Sequence, residues 1–363
     1  MNKISSKHYI LFILGVAIIS LKTYLSVFIN IGGRDTWLSS LLAGFIFICF
    51  LLYIINICKR SNTFDINEIF NKSMPKVFSF ICVGIFVLGL FINAVESAAV
   101  EANVLHSTLF IDTPVWYALM FFIIPSLFIF SKKLRTILIF VLVSVFIFII
   151  NGIIFFLLTQ TYKDINNLLP VLGNGLSRNF FSATVLILGG FSTFMIATPY
   201  LKYIDKNEHI KKHSFYAGVI TIAFVVISFL GAITAFGPSR AANIFYPEFV
   251  LSQRIEVAGF LELGELFFII QTVIGFFTKY VLATYSILLL LEKYIKRKRI
   301  FIGIYTFLIF VFANFLGLNN FYLYDLLTYI QIINLIAFLF IPLIVFTLYY
   351  IKNKNLNMKK SKN

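Results

Sequence analysis

The sequence predicts an all-α integral membrane protein, and three observations lead to that fold class. Of its 363 residues, 60% are hydrophobic, 12% are charged and 45 are Phe. The apolar stretches reach the roughly 20 residues that a helix needs to cross a hydrocarbon core about 30 Å thick. The Lys and Arg residues gather in alternate connections between these stretches. Together these features exclude a soluble fold.

Ten apolar stretches are predicted to cross the membrane as helices, numbered here as spans 1 to 10 in chain order. They cover residues 8–31, 36–57, 77–104, 114–130, 136–158, 181–201, 214–236, 262–291, 300–318 and 323–351. Divided five and five, span 1 and span 6 cross in opposite directions, as in an inverted repeat. We expect one transmembrane domain over 1–351, with repeats at 8–158 and 181–351, and a basic tail at 352–363.

The positive charges predict the orientation of these spans. Of 30 Lys and Arg residues, Lys22 and Lys279 lie inside spans, and 23 lie in the N-terminus, the C-terminus and alternate loops. The other loops hold Arg34, Lys163, Arg178, Arg240 and Arg254. By the positive-inside rule both termini are cytoplasmic. The net charge of +15 is read as a topology signal and as contacts with anionic membrane lipid, not as nucleic-acid binding.

No catalytic residue, metal site or cofactor is predicted. Cys49, Cys58 and Cys82 lie in or beside spans without paired spacing, so they indicate neither a disulfide framework nor a metal site. The four His residues lie at span ends or in loops, and nucleophile and nucleotide-binding motifs are lacking. An enzyme is therefore the least favoured class of function.

Spans 1 and 6 carry the polar residues expected at a binding site. Span 1 contains Ser20, Lys22 and Thr23 near its middle, and span 6 contains Gly189 and Gly190 followed by Ser192 and Thr193. Paired glycines in a membrane helix are often explained by close helix packing alone. Their position in the helix that corresponds to span 1 favours a second interpretation, in which spans 1 and 6 are broken helices that expose backbone groups to a ligand.

Four ionisable residues lie well inside apolar stretches: Lys22, Glu96, Glu101 and Lys279. An unpaired charge at mid-bilayer costs from about 2.5 to over 10 kcal/mol, so each is expected to face protein or water. Glu101 lies near the outer end of span 3 and is expected to reach the interface. Lys22 and Lys279 are too far from the cytoplasmic interface to snorkel, which predicts a functional or structural ion pair for each.

The outer loop between spans 7 and 8 is a third candidate region. Phe249, Ile255 and Phe260 alternate there with acidic residues such as Glu248. This pattern predicts an amphipathic helix on the bundle. It is either a solvated connection or a lid over an extracellular vestibule.

Several motifs in order along the chain resemble those of the B subunit of GerA-type spore germinant receptors, in the amino acid/polyamine/organocation transporter superfamily. They are Gly33 to Ser39 after span 1, Thr113-Pro114, Asn167 to Gly173, Pro199-Tyr200, Phe245 to Glu265, and Lys279. The chain departs from the family pattern at Ser192-Thr193, where an acidic residue is common, at Leu263, where Arg is usual, and in span 1, which lacks the usual proline.

The resemblance implies a LeuT-type fold that binds a small germinant, expected to be an amino acid, between spans 1, 3, 6 and 8. The candidate ligand-binding residues are Ser20, Lys22, Thr23, Asn93, Glu96, Ser97, Gly189, Gly190, Ser192, Thr193 and Lys279. The implied partners are a receptor A subunit and a lipoprotein C subunit, and the implied location is the inner membrane of a spore. The rival hypotheses are an amino acid transporter coupled to H⁺ or Na⁺, and a scaffold subunit that binds no ligand.

Overall fold

The computed structural model describes residues 5–173, 175–204, 209–256 and 263–360, and the regular structure of these ranges is helical. Sixteen α-helices follow one another, joined by loops, short 3₁₀ turns, the longer 3₁₀-helix Thr193–Tyr203 and the π-helical stretch Leu335–Phe340. They are α1 (Ser6–Ala17), α2 (Ile19–Thr23), α3 (Leu25–Gly32), α4 (Thr36–Arg60), α5 (Ile66–Ser73), α6 (Lys76–Thr108), α7 (Val115–Phe130), α8 (Leu134–Leu158), α9 (Arg178–Ser192), α10 (Ile210–Phe236), α11 (Pro238–Asn243), α12 (Pro247–Ser252), α13 (Gly264–Leu290), α14 (Lys298–Gly317), α15 (Asn320–Asn334) and α16 (Ile341–Lys360).

Within those ranges, eight helical stretches are long and apolar enough to cross a membrane. They are Leu25–Arg60, Lys76–Thr108, Leu134–Leu158, Arg178–Tyr203, Ile210–Phe236, Gly264–Leu290, Lys298–Gly317 and Asn320–Lys354. Two apolar helices are shorter, Ser6–Ala17 and Val115–Phe130. The chain is thus an all-helical, multi-pass membrane protein. The division into ten spans in two inverted repeats stays a prediction.

Local sequence signals account for the helix ends. The side chains of Asp65 and Asn319 accept hydrogen bonds from backbone N–H groups of α5 and α15, at 2.9 Å in each case to the nearest donor. Such caps satisfy donors that have no partner within the helix. Gly33 and Gly237 follow α3 and α10 with φ of 59° and 74°, a backbone conformation that glycine adopts at little cost.

Span 1 is interrupted twice, as its polar centre predicts. The regular helix is interrupted at Ile18, where φ of −89° and ψ of −47° remain helical, and the chain leaves helical geometry at Tyr24, where φ is −110° and ψ is 55°. The five-residue helix α2 between these breaks is wholly buried.

The expectation of a break at the glycine pair of span 6 is wrong in position. Gly189 and Gly190 lie inside the regular helix α9, and the chain changes to a 3₁₀-helix only at Thr193, continuing to Tyr203. A 3₁₀-helix is tighter than an α-helix and is uncommon at this length. Span 6 therefore changes from an α-helix to a 3₁₀-helix at Thr193, three residues after Gly190.

Helix α13 is central to the packing. It contacts α6, α8, α1 and the 3₁₀-helix Thr193–Tyr203. Its C-terminal half is buried without interruption from Thr278 to Leu290, whereas α8 and α14 expose the large apolar side chains of Phe146 and Phe307. Exposed apolar side chains of this kind suit a lipid-facing surface. The polar candidate residues of α13 and α2 are buried and lie in the protein interior.

The region predicted to form an amphipathic helix, Phe245 to Glu265, contains the short helix α12, which begins at Pro247, and the first turn of α13. The short helix α11, which begins at Pro238, precedes this region. Phe260, Leu261 and Glu262 lie outside the described residues. A further contact joins two of the motif regions, because Asp35 Oδ1 accepts a hydrogen bond of 2.9 Å from the Leu172 backbone N–H.

Candidate functional site

Helix α2 presents polar side chains to two opposite sides. Ser20 and Lys22 are two positions apart, which separates them by roughly 160–200° around a helix of 3.6 residues per turn. Ser20 and Tyr24, four positions apart, lie on the same side. Each side carries its own charged network, and both networks are buried.

The first network, called the Glu96 cluster, contains Ser20, Tyr24, Glu96, Lys279 and Gln331. Glu96 Oε2 accepts from the Lys279 ammonium at 2.7 Å. Glu96 Oε1 accepts from the hydroxyls of Ser20 and Tyr24, also at 2.7 Å. The cluster thereby ties α2 to α6 and α13.

Two further bonds complete the cluster. The Lys279 ammonium donates to Ser20 Oγ at 2.6 Å, and Gln331 Nε2 donates to Tyr24 OH at 3.2 Å. Both carboxylate oxygens of Glu96 are therefore paired. Since an unpaired buried charge is costly whereas a fully hydrogen-bonded pair is tolerated, these bonds make the buried charges permissible.

The second network lies on the opposite side of α2. The Lys22 ammonium lies 3.6 Å from Glu248 Oε1, and both side chains are less than one-tenth exposed. The same ammonium lies 5.7 Å from the centroid of the Phe155 ring. Because Lys22 belongs to α2 and Glu248 to α12, this ion pair connects the short helix of span 1 to the loop between α10 and α13.

A cavity of about 340 Å³ adjoins this ion pair and is called the Lys22 crevice. It lies between α8 and α10, and its lining includes Lys22, Phe155, Lys163, Phe224, Glu248 and Leu251. Lys163 enters from the loop after α8, with its ammonium 4.5 Å from the centroid of the Phe156 ring. The crevice therefore combines apolar walls with three ionisable groups.

Burial alters the proton affinity of the two crevice groups that belong to the outer loops. It raises the pKa of Glu248 above its ordinary value, an effect that the Lys22 ammonium opposes. It lowers the pKa of Lys163, and here the Glu248 carboxylate opposes the shift. For both groups burial is the larger effect, and the opposite charge in the crevice reduces the shift without cancelling it.

The structure agrees with the predicted ion pairing of Lys22 and Lys279 but not with the predicted position of Glu101. Lys22 and Lys279 both form ion pairs, as predicted, with Glu248 and Glu96. The expectation that Glu101 reaches the interface is wrong, since it is 3% exposed and its Oε2 has no hydrogen-bond partner. The physical reason is that α6 continues to Thr108, which places Glu101 about 10 Å from the helix end.

The candidate residues of span 6 contact other helices closely. A Cβ on Gly189 would meet the backbone carbonyl of Gln331, and one on Gly190 would meet the Leu21 side chain. Ser192 Oγ donates to the Asn334 carbonyl at 3.1 Å, and Thr193 Oγ1 donates to the Val16 carbonyl at 3.2 Å. These residues join α9 to the interrupted segment and to α15.

The other candidates make shorter-range contacts. Thr23 and Ser97 donate to carbonyls one turn earlier, at Ile19 and Asn93. Asn93 Nδ2 also donates to Asn334 Oδ1 at 2.7 Å. The structure therefore brings Ser20, Glu96 and Lys279 into one cluster, places Lys22 at a separate crevice, and puts Asn93 at the contact between α6 and α15.

Four residues of these networks were not among the candidates: Tyr24, Lys163, Glu248 and Gln331. Glu248 stands in a loop with other acidic residues, and Lys163 looks like an ordinary loop charge. Tyr24 and Gln331 give no sequence signal, since isolated polar residues of these types are unexceptional. Among the described residues, no group of three His, Cys, Asp or Glu side chains is arranged to hold a metal ion.

Comparison with known proteins agrees with the motif pattern. The family model described as "Spore germination protein" matches residues 8–316. The chain is 25% identical over 255 residues to spore germination protein A2 of Bacillus subtilis (strain 168), an alignment that covers 69% of each protein. The region that the family model matches contains α2, the Lys22 crevice and all residues of the Glu96 cluster except Gln331. The chain thus belongs to the spore germination protein family.

Proposed function

We propose that this chain is the membrane-embedded subunit of a spore germinant receptor, which binds a small amino acid germinant and signals through partner subunits. Membership of the spore germination protein family supports this role. The proposed partners are an A subunit and a lipoprotein C subunit. The proposed location is the inner membrane of the spore, with both termini cytoplasmic because the basic residues favour that side.

The interrupted segment around α2 carries the proposal. In membrane proteins with broken helices, ligands bind where the interruption frees backbone groups and lines a cavity. Helix α2 has a break at each end and is wholly buried, and Lys22 projects from it into a cavity. The proposed binding region comprises α2 and its neighbours, including Gly190 of α9, which packs on Leu21.

The two networks around α2 suggest how an occupied site would signal. The Glu96 cluster holds α2 against α6 and α13, and the Lys22–Glu248 pair holds it to α12. A ligand shifts a conformational equilibrium only as far as its affinity differs between the two states. A germinant that alters the Lys22 side of α2 would change the relative stability of the arrangements on both sides.

Germination of spores that lack this chain tests the proposal. Spores with the gene deleted and spores complemented with the wild-type gene are exposed to single amino acids, and germination is followed by the loss of optical density. We expect at least one amino acid to act only on complemented spores. Equal responses of both kinds of spore to every amino acid would refute the receptor role.

Reconstitution separates the receptor from its rivals. Purified protein in liposomes should bind the active amino acid without accumulating it. Accumulation driven by a Na⁺ or H⁺ gradient would establish a transporter instead. Absence of binding, with germination still dependent on the chain, would establish a scaffold subunit.

A further inference from the structure

The Lys22 crevice has an uneven charge composition. Its lining includes two ammonium groups, on Lys22 and Lys163, and one carboxylate, on Glu248. Glu248 pairs with Lys22 at 3.6 Å. Among the described residues Lys163 forms no ion pair, and its ammonium lies over the Phe156 ring and against Gly231 of α10. One positive charge is thus left uncompensated beside an apolar cavity.

The rest of the lining is hydrocarbon and aromatic. Phe155, Phe224 and Leu251 form much of the wall, with Thr159 and Ser228 as small polar contributions. Pockets for small molecules commonly enclose about 300–1,000 Å³ and combine apolar walls with a few polar groups. At about 340 Å³ the crevice is at the small end of that range.

We propose that the Lys22 crevice binds one small carboxylate with an apolar body, its carboxylate between the ammonium groups of Lys22 and Lys163. The inference rests on the proposed function, since it names the chemical class of the germinant. A carboxylate neutralises the surplus charge and forms charge-assisted hydrogen bonds, which are about twice as strong as neutral ones. Its hydrocarbon part displaces water from Phe155 and Leu251.

Glu248 is the internal competitor of this ligand. Its carboxylate already occupies one side of Lys22, so an incoming carboxylate shares that ammonium and weakens the bond between α2 and α12. Repulsion between the two carboxylates acts in the same direction. Occupancy of the crevice is thereby linked to the position of the outer loop.

The same ligand chemistry is available from two sources. An amino acid enters from the water past Lys163, whose side chain is half-buried in the outer loop. A fatty acid enters from the bilayer, because the crevice lining includes Ile153 and Val219, which are exposed apolar residues of two helices long enough to cross a membrane. The carboxylate is common to both, and their different bodies distinguish them.

Direct binding to the purified full-length protein in phosphatidylcholine nanodiscs tests the inference. The probes are tritiated L-valine, isovalerate and laurate, with unlabelled L-valinamide as a competitor that has the same body but no carboxylate. The variants are Lys22→Met, Lys163→Met and Glu248→Gln. Lys202→Met is the matched control, because Lys202 pairs with Glu292 at 3.8 Å outside the crevice.

We expect saturable binding of a carboxylate probe that L-valinamide does not displace. Loss of either crevice lysine should weaken it roughly tenfold or more, the effect of removing a charged hydrogen bond. Glu248→Gln should tighten binding several-fold, and Lys202→Met should leave it unchanged. Binding of valine or isovalerate identifies a water-borne ligand, whereas binding of laurate alone supports the crevice as a fatty-acid site and separates it from germinant recognition.

Two results would overturn the inference: none of the three carboxylates binds, or binding is equal in wild type and Lys163→Met. Lys163→Met is the decisive variant if Lys22→Met fails to fold, because Lys163 has no ion pair to lose among the described residues. If no carboxylate binds but spores still need the chain for their amino acid response, this inference fails and the receptor role stands. If the chain is dispensable for that response, the receptor role itself fails.

Discussion

The ammonium of Lys279 lies 2.7 Å from Glu96 Oε2, and neither side chain is exposed to solvent. The two residues are 183 positions apart in the chain, so their pairing depends on how α6 packs against α13. Removal of one partner would leave the other charge buried and unpaired.

The first prediction therefore concerns this pair. Lys279→Met should destabilise the protein by about 3–5 kcal/mol, the usual effect of breaking a buried ion pair. The double variant Lys279→Met/Glu96→Gln should recover much of the loss, because no charge is then left unpaired. The stability of both variants is measured by heating the detergent-purified protein and determining, by size-exclusion chromatography, how much folded protein remains. Lys72→Met, which removes an exposed pair with Glu68, is the control and should unfold like wild type. A double variant no more stable than Lys279→Met would contradict this account.

The second prediction concerns Gly190. Its missing side chain leaves room for Leu21 of α2, and overpacking of such a contact costs about 1–3 kcal/mol. Gly190→Leu should therefore displace α2 and abolish the germinant response or raise the required concentration roughly tenfold, while the protein still reaches the membrane. Gly84→Leu is the matched control, since nothing lies within 4 Å of a Cβ at that glycine. Normal germinant sensitivity of Gly190→Leu spores would remove α9 from the proposed site.

The third prediction distinguishes the two neighbouring glycines. A Cβ on Gly189 would meet a backbone carbonyl of α15, whereas one on Gly190 would meet a flexible leucine side chain. Gly189→Ala should thus lower the thermal stability of the purified protein more than Gly190→Ala does. The reverse order would indicate that α9 and α15 are not held at this distance.

The fourth prediction is topological. Lys133→Cys and Arg297→Cys lie in connections that the charge distribution assigns to the cytoplasm, and Asn166→Cys lies in an outer connection. In intact cells an impermeant maleimide should label only Asn166→Cys, in a background with Cys49 and Cys82 changed to Ser. All three positions are exposed in the structure, so permeabilised cells should show labelling at each. External labelling of residue 133 or 297 would invert the proposed orientation.

The fifth prediction concerns ions. In transporters with broken helices, backbone groups at the break coordinate Na⁺ or H⁺. Here the Lys279 ammonium donates to Ser20 of the interrupted segment at 2.6 Å, so a fixed cation already lies beside the break. The germination response should be the same when Na⁺ is replaced by K⁺ or choline in the medium. A response that disappears without Na⁺ would show that an ion site exists elsewhere.

The sequence was a good guide to the helices and to the burial of Lys22 and Lys279, but not to the burial of Glu101 and Glu248. Length and apolarity are local properties, so the limits of α8 and α10 follow the predicted spans closely. The ion-pair roles of Lys22 and Lys279 also followed from the cost of an unpaired charge. Their partners did not, because Glu96 and Glu248 meet them only through tertiary packing.

The errors have physical reasons as well. The sequence pattern predicts a break at the glycine pair of α9, but Gly189 instead allows close approach to the α15 backbone, as the alternative explanation of close helix packing implies. Tyr24 and Gln331 were missed because their hydroxyl and amide groups become informative only when Glu96 is known to lie beside them.

Helix α2 is five residues long and is bound on two opposite sides. Ser20 forms hydrogen bonds with Glu96 and Lys279 on one side, and Lys22 forms an ion pair with Glu248 on the other. In a sensor, such an arrangement separates sensitivity from selectivity. Substitutions in the Glu96 cluster would reset the threshold at which the molecule responds, without touching Lys22 and Lys163 of the proposed carboxylate site. Substitutions around the Lys22 crevice would change which compound is recognised. Compensating substitutions in the Glu96 cluster would then restore the equilibrium between the resting and active conformations. Related receptors could in this way diversify their stimuli and adjust their dormancy independently.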